Sequence, residues 1–217
     1  VLSEVGMLPA ELMGFDPKKF RQYDNLIKNK IFLKNLILNV ESTIGFIKKG
    51  YTTSIILNYD EEAENLFKWY QQLIAESLGK KSKGILPVIS TMPKDNHSLL
   101  QLYLDGPKKN FFTFFESKNS ISNSIPGKKV LKQKKYLRFK KLSTIINAQK
   151  IATQRIFQLK KIPFRSFEIL KKDETSLGVL FCFFVLETIL LGRALNVNPF
   201  DQPSVELIKI ETKKLLS

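Results

Sequence analysis

The sequence predicts an α/β protein built on a largely parallel sheet. Short β-branched or aromatic runs recur along the chain, and longer stretches with helical spacing of apolar residues separate them. Gly, Pro, Asn and Asp punctuate the joints. Strands alternating with helices make βαβ units, which give a parallel sheet. At 217 residues, 43% of them apolar and 25% charged, the chain suits one large domain or two small ones with a real core.

The elements follow in order. Residues 5–20 predict a short helix with a turn at "GFDPKK". Residues 24–40 predict a longer one, because Leu26, Ile27, Ile31, Leu33, Leu36, Ile37 and Val40 fall on helical spacing. "TTSIILNY" (52–59), after Gly50, predicts the first strand. "DEEAENLFKWYQQLIAESLGK" (60–80) is the best-marked helix. Asp60 is its N-cap, Glu61 and Glu62 sit where the dipole favours them, and Gly79 is the stop. "GILPVIST" (84–91) predicts the second strand. Asp95 or Asn96 is expected to cap a helix through Leu104, which Gly106 and Pro107 end. "NFFTFFE" (110–116) predicts the third strand, "SKNSISNSIPGKK" (117–129) a surface loop, residues 143–160 a helix and "FRSFEIL" (164–170) the fourth strand. Residues 176–195 predict a buried helix, and Pro203 starts the last helix at its first position. No internal repeat is visible.

Within the buried helix, "GVLFCFFVLETILLG" (178–192) is the most apolar run, with Glu187 inside it. It is shorter than the roughly 20 residues a membrane span needs, so it predicts a core helix and no membrane partner. Cys182, the single cysteine, lies in that run and is expected to be a buried apolar group. One cysteine allows no internal disulfide and fits a reducing compartment, hence a cytoplasmic location. "VLSEVGMLPAELMG" at the start has no basic leader.

The net charge of +15 suggests an anionic partner, but the excess is lysine in a chain also rich in Ile, Asn and Phe. Residues 128–141, "KKVLKQKKYLRFKK", hold eight Lys or Arg. The few aromatics there, Tyr136 and Phe139, and the absence of a recognised binding fold before them argue against a nucleic-acid module. A solvated basic face that also attracts a phosphorylated ligand fits better. There is no Gly-rich phosphate loop, no G-x-G-x-x-G and no C-x-x-C, and the lone histidine cannot build a multi-histidine metal site. Chemistry would have to use carboxylate, one imidazole and lysine.

Three positions suit such chemistry. Glu76 falls in the last turn of its helix, where the dipole disfavours a carboxylate; it is either a general base or a solvated glutamate tolerating a small cost. His97 is expected in a helix first turn beyond a strand, where the dipole favours neutral imidazole. Such sheet edges bind ligands, so it is either a proton-exchanging group or a capping and packing residue. Lys209 shares a helix face with Val205 and Gln202, and by itself reads as a solvated lysine.

"FDQPSVELIK" (200–209) closely resembles the C-terminal signature of the phosphoglucose isomerase family, [FY]-D-Q-x-G-V-E-x-x-K, with Ser204 in the glycine position. "WYQQLIAESLGK" (69–80) resembles the segment that carries the family's catalytic glutamate, and "DNHSLLQLYLDGP" (95–107) the one that carries its histidine. Their order and spacing agree, as does "LLGRALNVNPFDQP" before the last helix, so the likeness spans nearly the whole chain.

The resemblance implies a doubly wound, mainly parallel sugar-isomerase (SIS) type sheet flanked by helices, plus C-terminal helices. Residues 1–50 would be a helical segment completing the upstream part of the enzyme. Residues 51–175 would be the second sugar-isomerase-type domain, and 176–217 the core and signature helices. It implies interconversion of glucose 6-phosphate and fructose 6-phosphate through a cis-enediol. Glu76 would be the base, His97 and Lys209 would assist ring opening, and Gln72 and Gln202 would contact substrate. No metal or organic cofactor is implied. A homodimer is, with His97 entering the neighbouring subunit's site. The family's G-G-R-[FY]-S motif and first sugar-isomerase domain, which supplies most phosphate contacts, are absent. With no initiator Met, the chain is expected to be the C-terminal part of a longer protein, inactive alone. The competing function is a non-catalytic sugar-phosphate sensor on the same fold. Retention of Glu76, His97 and Lys209 together argues against it.

Overall fold

The structure is a computed structural model that describes residues 2–118, 124–125 and 132–217. In chain order the elements are α1 (Glu4–Leu12), α2 (Pro17–Phe20), α3 (Tyr23–Leu26), α4 (Lys30–Lys48), β1 (Thr53–Asn58), α5 (Glu64–Leu78), β2 (Leu86–Thr91), α6 (Leu100–Asp105), β3 (Asn110–Ser117), α7 (Leu142–Leu159), β4 (Phe164–Ile169), α8 (Glu174–Ala194) and α9 (Pro203–Leu216). They fall into two compact units. One comprises residues 1–52, 68–87 and 174–217; the other comprises 53–67 and 88–173.

The second unit contains the sheet, in the order β2-β1-β3-β4. β1 pairs parallel with β3, and β3 with β4. β2, whose first two residues belong to the other unit, runs parallel to β1: Leu86 N bonds Thr52 O at their starts and Met92 N bonds Asn58 O at their ends, both at 2.8 Å. The four strands lie within two residues of the runs that predicted them. Alternation sends Ile55, Leu57, Phe112 and Phe114 to one face, where Tyr103 of α6 and Phe157 of α7 cover them. Phe157 is fully buried with its ring 4.8 Å from Phe112 and 5.4 Å from Phe114, both edge-on. That is the geometry aromatic quadrupoles favour. On the opposite face Phe67, at the start of α5, meets Phe115 edge-on at 4.7 Å.

The first unit is helical around α8. This helix is apolar on nearly every side, the pattern of a helix enclosed by others. Gly178 explains how closely α2 lies on it: a Cβ there would fall 2.6 Å from Phe20 O. Phe20 meets Phe181, and Phe32 of α4 meets Phe183 at 5.9 Å. At 21 residues α8 is long and apolar enough to cross a membrane. Half of its most apolar stretch is buried within the protein, together with Glu187, which suits a core helix. Cys182 is buried as expected, and burial pushes its thiol pKa up.

Three predicted details are corrected. The 24–40 helix is two helices, because the Asn29 side chain accepts bonds from Ile31 N and Phe32 N (3.0 Å each) and starts α4 anew. The 60–80 helix opens with a 3₁₀ turn, Glu61–Ala63, capped by Asp60 as predicted, before α5 proper. The helix after β2 begins only at Leu100. Asp95 does not cap it; its carboxylate instead accepts from Thr91 N (2.8 Å) and Ser90 Oγ (3.0 Å). Most of the 117–129 loop and the start of the 128–141 basic stretch lie outside the described residues. Lys132–Leu137 forms a 3₁₀ turn.

Candidate functional site

The candidate site lies in the helical unit, on α5 and the turn between α8 and α9. Tyr70, Ile74 and Leu78 are buried; Tyr70 meets Phe184 of α8 at a tilt (4.5 Å) and Trp69 meets Phe181 edge-on (4.7 Å). With one side of α5 fixed, Gln72 and Glu76 follow four-residue spacing along another side, and Lys80 stands two residues beyond the helix end. Gly79 allows the helix to stop there. A Cβ on it would meet Ala75 O at 2.7 Å. Lys81 and Ser82, both with left-handed φ (53° and 57°), turn the chain toward β2.

The partner segment is "LNVNPFDQP" (195–203). Val197 N bonds Gly192 O (3.0 Å) to close α8. Gly192 leaves room for Pro199, whose ring atoms would lie 3.1–3.3 Å from a Cβ there. Asn198 then organises the turn, accepting from Phe200 N (3.1 Å) and donating to Asp201 Oδ2 (3.0 Å). Gln202 is the first residue before α9, but its side chain does not cap that helix.

These segments meet at Glu76. Gln72 Nε2 donates to Glu76 Oε1 at 2.9 Å, and Gln202 Nε2 donates to Oε2 at 2.8 Å. A carboxylate only accepts, so both amides must present their N–H groups. Each oxygen has one donor, and the plane of the carboxylate is thereby set. Glu76 is half-buried, while Gln72 and Gln202 are exposed, which leaves the carboxylate open to a ligand.

Lys80 and Asp201 also belong here, although sequence reasoning gave them no role. Lys80 Nζ pairs with Asp201 Oδ1 at 2.8 Å and donates to Asn198 O. The bond from Lys80 holds the Asp201 carboxyl below the usual range. Lys83 Nζ adds a second tie, to Leu195 O at 2.7 Å. A signal was available, since Lys80 follows the helix stop and Asp201 sits inside the signature motif.

The other predicted residues are Lys209 and His97. Lys209 is exposed on α9 and bonds Glu206 Oε1 at 2.6 Å. His97 is exposed in the sheet-bearing unit. It ends the 3₁₀ turn Lys94–Asn96 rather than starting a helix, so the expected dipole effect on its imidazole has no helix behind it. That unit has its own cleft of about 560 Å³ beyond the strand ends, lined by Asp60, Met92, Glu116, Ser117, Lys172 and the start of α7. There Asp60 accepts from Ser117 Oγ (2.7 Å) and Lys172 Nζ (3.0 Å). Among the described residues no group of three or more His, Cys, Asp or Glu is arranged to hold a metal ion.

No family model matches the chain. It is similar along nearly its whole length to curated glucose-6-phosphate isomerases. The one from Methanocaldococcus jannaschii is 33% identical over 99% of this chain and 53% of its own length. That of Mycoplasmopsis pulmonis is 32% identical over 100% and 52%. The chain thus spans about half the length of the curated relatives it matches. Among solved structures, a hypothetical protein from Thermus thermophilus superposes with a TM-score of 0.87 at 25% identity, covering 99% of this chain and 54% of that one. A glucose-6-phosphate isomerase from Chlamydia trachomatis shares the fold at a TM-score of 0.63 and 16% identity, over 77% of this chain and 35% of that one.

Proposed function

We propose that this chain is the glutamate-bearing part of a glucose-6-phosphate isomerase and that Glu76 is its base. The observation that carries the reading is the Glu76 carboxylate held on both oxygens by Gln72 and Gln202, within a likeness to such isomerases that covers nearly the whole chain. The substrate would be an open-chain hexose phosphate. Glu76 would take the proton from C2 of the aldose, leaving an enediol, and return it to C1 of the ketose, while the hydroxyl proton moves from O2 to O1. Such a transfer needs a base, an acid and an oriented polar setting, and no redox partner.

By resemblance, His97 and Lys209 assist ring opening, and Gln72 and Gln202 contact sugar as well as carboxylate. His97 would serve the site of a second subunit in a homodimer. The phosphate would be held by residues outside these 217. The basic surface around residues 134–141 would attract the anionic substrate without taking part in the reaction.

The test uses the complete gene product that contains these residues, beside residues 1–217 alone. Interconversion of fructose 6-phosphate and glucose 6-phosphate is followed by a coupled assay, and exchange at C1 and C2 by deuterium uptake from heavy water. Turnover with deuterium incorporation by the complete product, and none by residues 1–217, is expected. A sugar-phosphate sensor would bind but exchange nothing, and that result would reject the isomerase reading.

A further inference from the structure

Most lysines among the described residues are solvated; Lys80 is not. Its side chain is only 10% exposed. Withdrawing an ammonium from water is costly unless acceptors replace the water. A lysine just past a helix usually answers the helix's own terminal carbonyls. Lys80 instead reaches Asn198 O, 118 residues further along, and Asp201 beside it. Both acceptors belong to the turn that ends in Gln202.

The contacts form a closed circuit. α5 and the residues just beyond its end touch the turn at two points, through Glu76 to Gln202 and, four residues on, through Lys80 to Asp201 and Asn198. With the first contact alone, the turn that carries Gln202 could shift and take the Glu76 carboxylate with it. The second removes that freedom, because Asp201 is covalently next to Gln202 and Pro203 restricts the backbone on the other side. Asn198 stiffens the turn from within, bonding both Phe200 N and Asp201 Oδ2.

We infer that Lys80 is a positioning residue for the isomerisation: by pinning the 198–202 turn to α5 it fixes Gln202, which sets the orientation of the Glu76 carboxylate. The inference rests on Glu76 being the base. Displacing a reacting group by about 1 Å can cost about 10²-fold in rate. Loss of the pin should therefore act on kcat far more than on substrate affinity.

The experiment compares Lys80→Met, Asp201→Asn and the double variant in the complete gene product. It measures kcat and KM with fructose 6-phosphate, the melting temperature, and hydrogen exchange at the Phe200 amide. Lys80→Met should lower kcat by about 10- to 100-fold, leave KM within about threefold and lose protection at Phe200. Asp201→Asn, an exposed change that keeps side-chain shape, should act in the same direction. The double variant should be little worse than Lys80→Met, because both changes break one circuit. Three results would each overturn the inference: an unchanged kcat, a fall in melting temperature or a rise in KM without a fall in kcat, or effects that simply multiply. If the unsubstituted protein does not isomerise, the assignment of Glu76 fails instead. Exchange at Phe200 then decides alone whether Lys80 fixes the turn.

Discussion

Replacing Glu76 by glutamine separates chemistry from structure at this site. In the folded protein two amides each donate to one carboxylate oxygen. Glutamine has the same shape but a single acceptor oxygen, so one of Gln72 and Gln202 would face an N–H group and must rotate its amide away. The structural cost is one hydrogen bond, about 0.5–1.5 kcal/mol, and nearer the lower figure because both glutamines are exposed. For a chain of this length, a cost near the lower figure is a shift of about 1–2 °C in melting temperature. The chemical cost is much larger. An amide cannot take the C2 proton, and loss of a general base costs about 10²- to 10⁴-fold, or about 2.7–5.5 kcal/mol of barrier. The two are measured together in the complete gene product, by thermal unfolding and by the coupled isomerase assay with fructose 6-phosphate. A kcat within a few-fold of the parent would remove Glu76 from the mechanism. A collapse of the melting temperature would show instead that the carboxylate serves the fold.

Other expectations are independent of that one. Phe157→Ala removes the fully buried ring that bridges Phe112 and Phe114 and should destabilise the sheet-bearing unit by about 3–5 kcal/mol in denaturant unfolding, whereas a loss below about 1 kcal/mol would mean the site collapses around the gap. Neutralising the exposed Lys134, Lys135, Lys140 and Lys141 should leave kcat nearly unchanged and lower kcat/KM only at low salt, since surface charge acts through screened steering; a collapse of kcat would place that segment in the reaction. Cys182, buried and with its thiol pKa raised by that burial, should resist a thiol reagent at pH 8 until denaturant is added, and prompt labelling of the native protein would contradict its place in the α8 core.

The strands were legible because each is a short run of β-branched or aromatic residues bounded by turn formers, and local composition is enough to mark such a run. The helix boundaries were less so. Apolar spacing runs through Asn29 without interruption, yet one side-chain oxygen accepting from Ile31 N and Phe32 N outweighs it and restarts the helix. At six residues α6 is too short for periodicity to locate, and Asp95, a good cap by type, is taken by Thr91 and Ser90. Gln72 and Glu76 could be paired from their spacing. The bond from Gln202 to Glu76 spans 126 residues, and periodicity reports which face a residue occupies, not what meets it. Lys80 was hidden by composition: among 35 lysines and arginines, one that leaves solvent has no distinguishing mark in sequence.

The placement of Glu76 ties these threads together. In the last turn of α5 a carboxylate faces the negative end of the helix dipole, so the helix alone gives it no support. A glutamate free in solvent could accept that small cost and would need no partners. Here it has two, and neither is helix backbone. Gln72 comes from one turn earlier, and Gln202 from a turn that a largely enclosed lysine pins just past the helix end. Lys80 places positive charge where the dipole favours it, while the amides supply the donors that the helix end lacks. A carboxylate supported by side chains, and not by the backbone of its own helix, is oriented by that support. The same contacts that offset its unfavourable position therefore give Glu76 the fixed plane that a base for proton transfer at carbon requires.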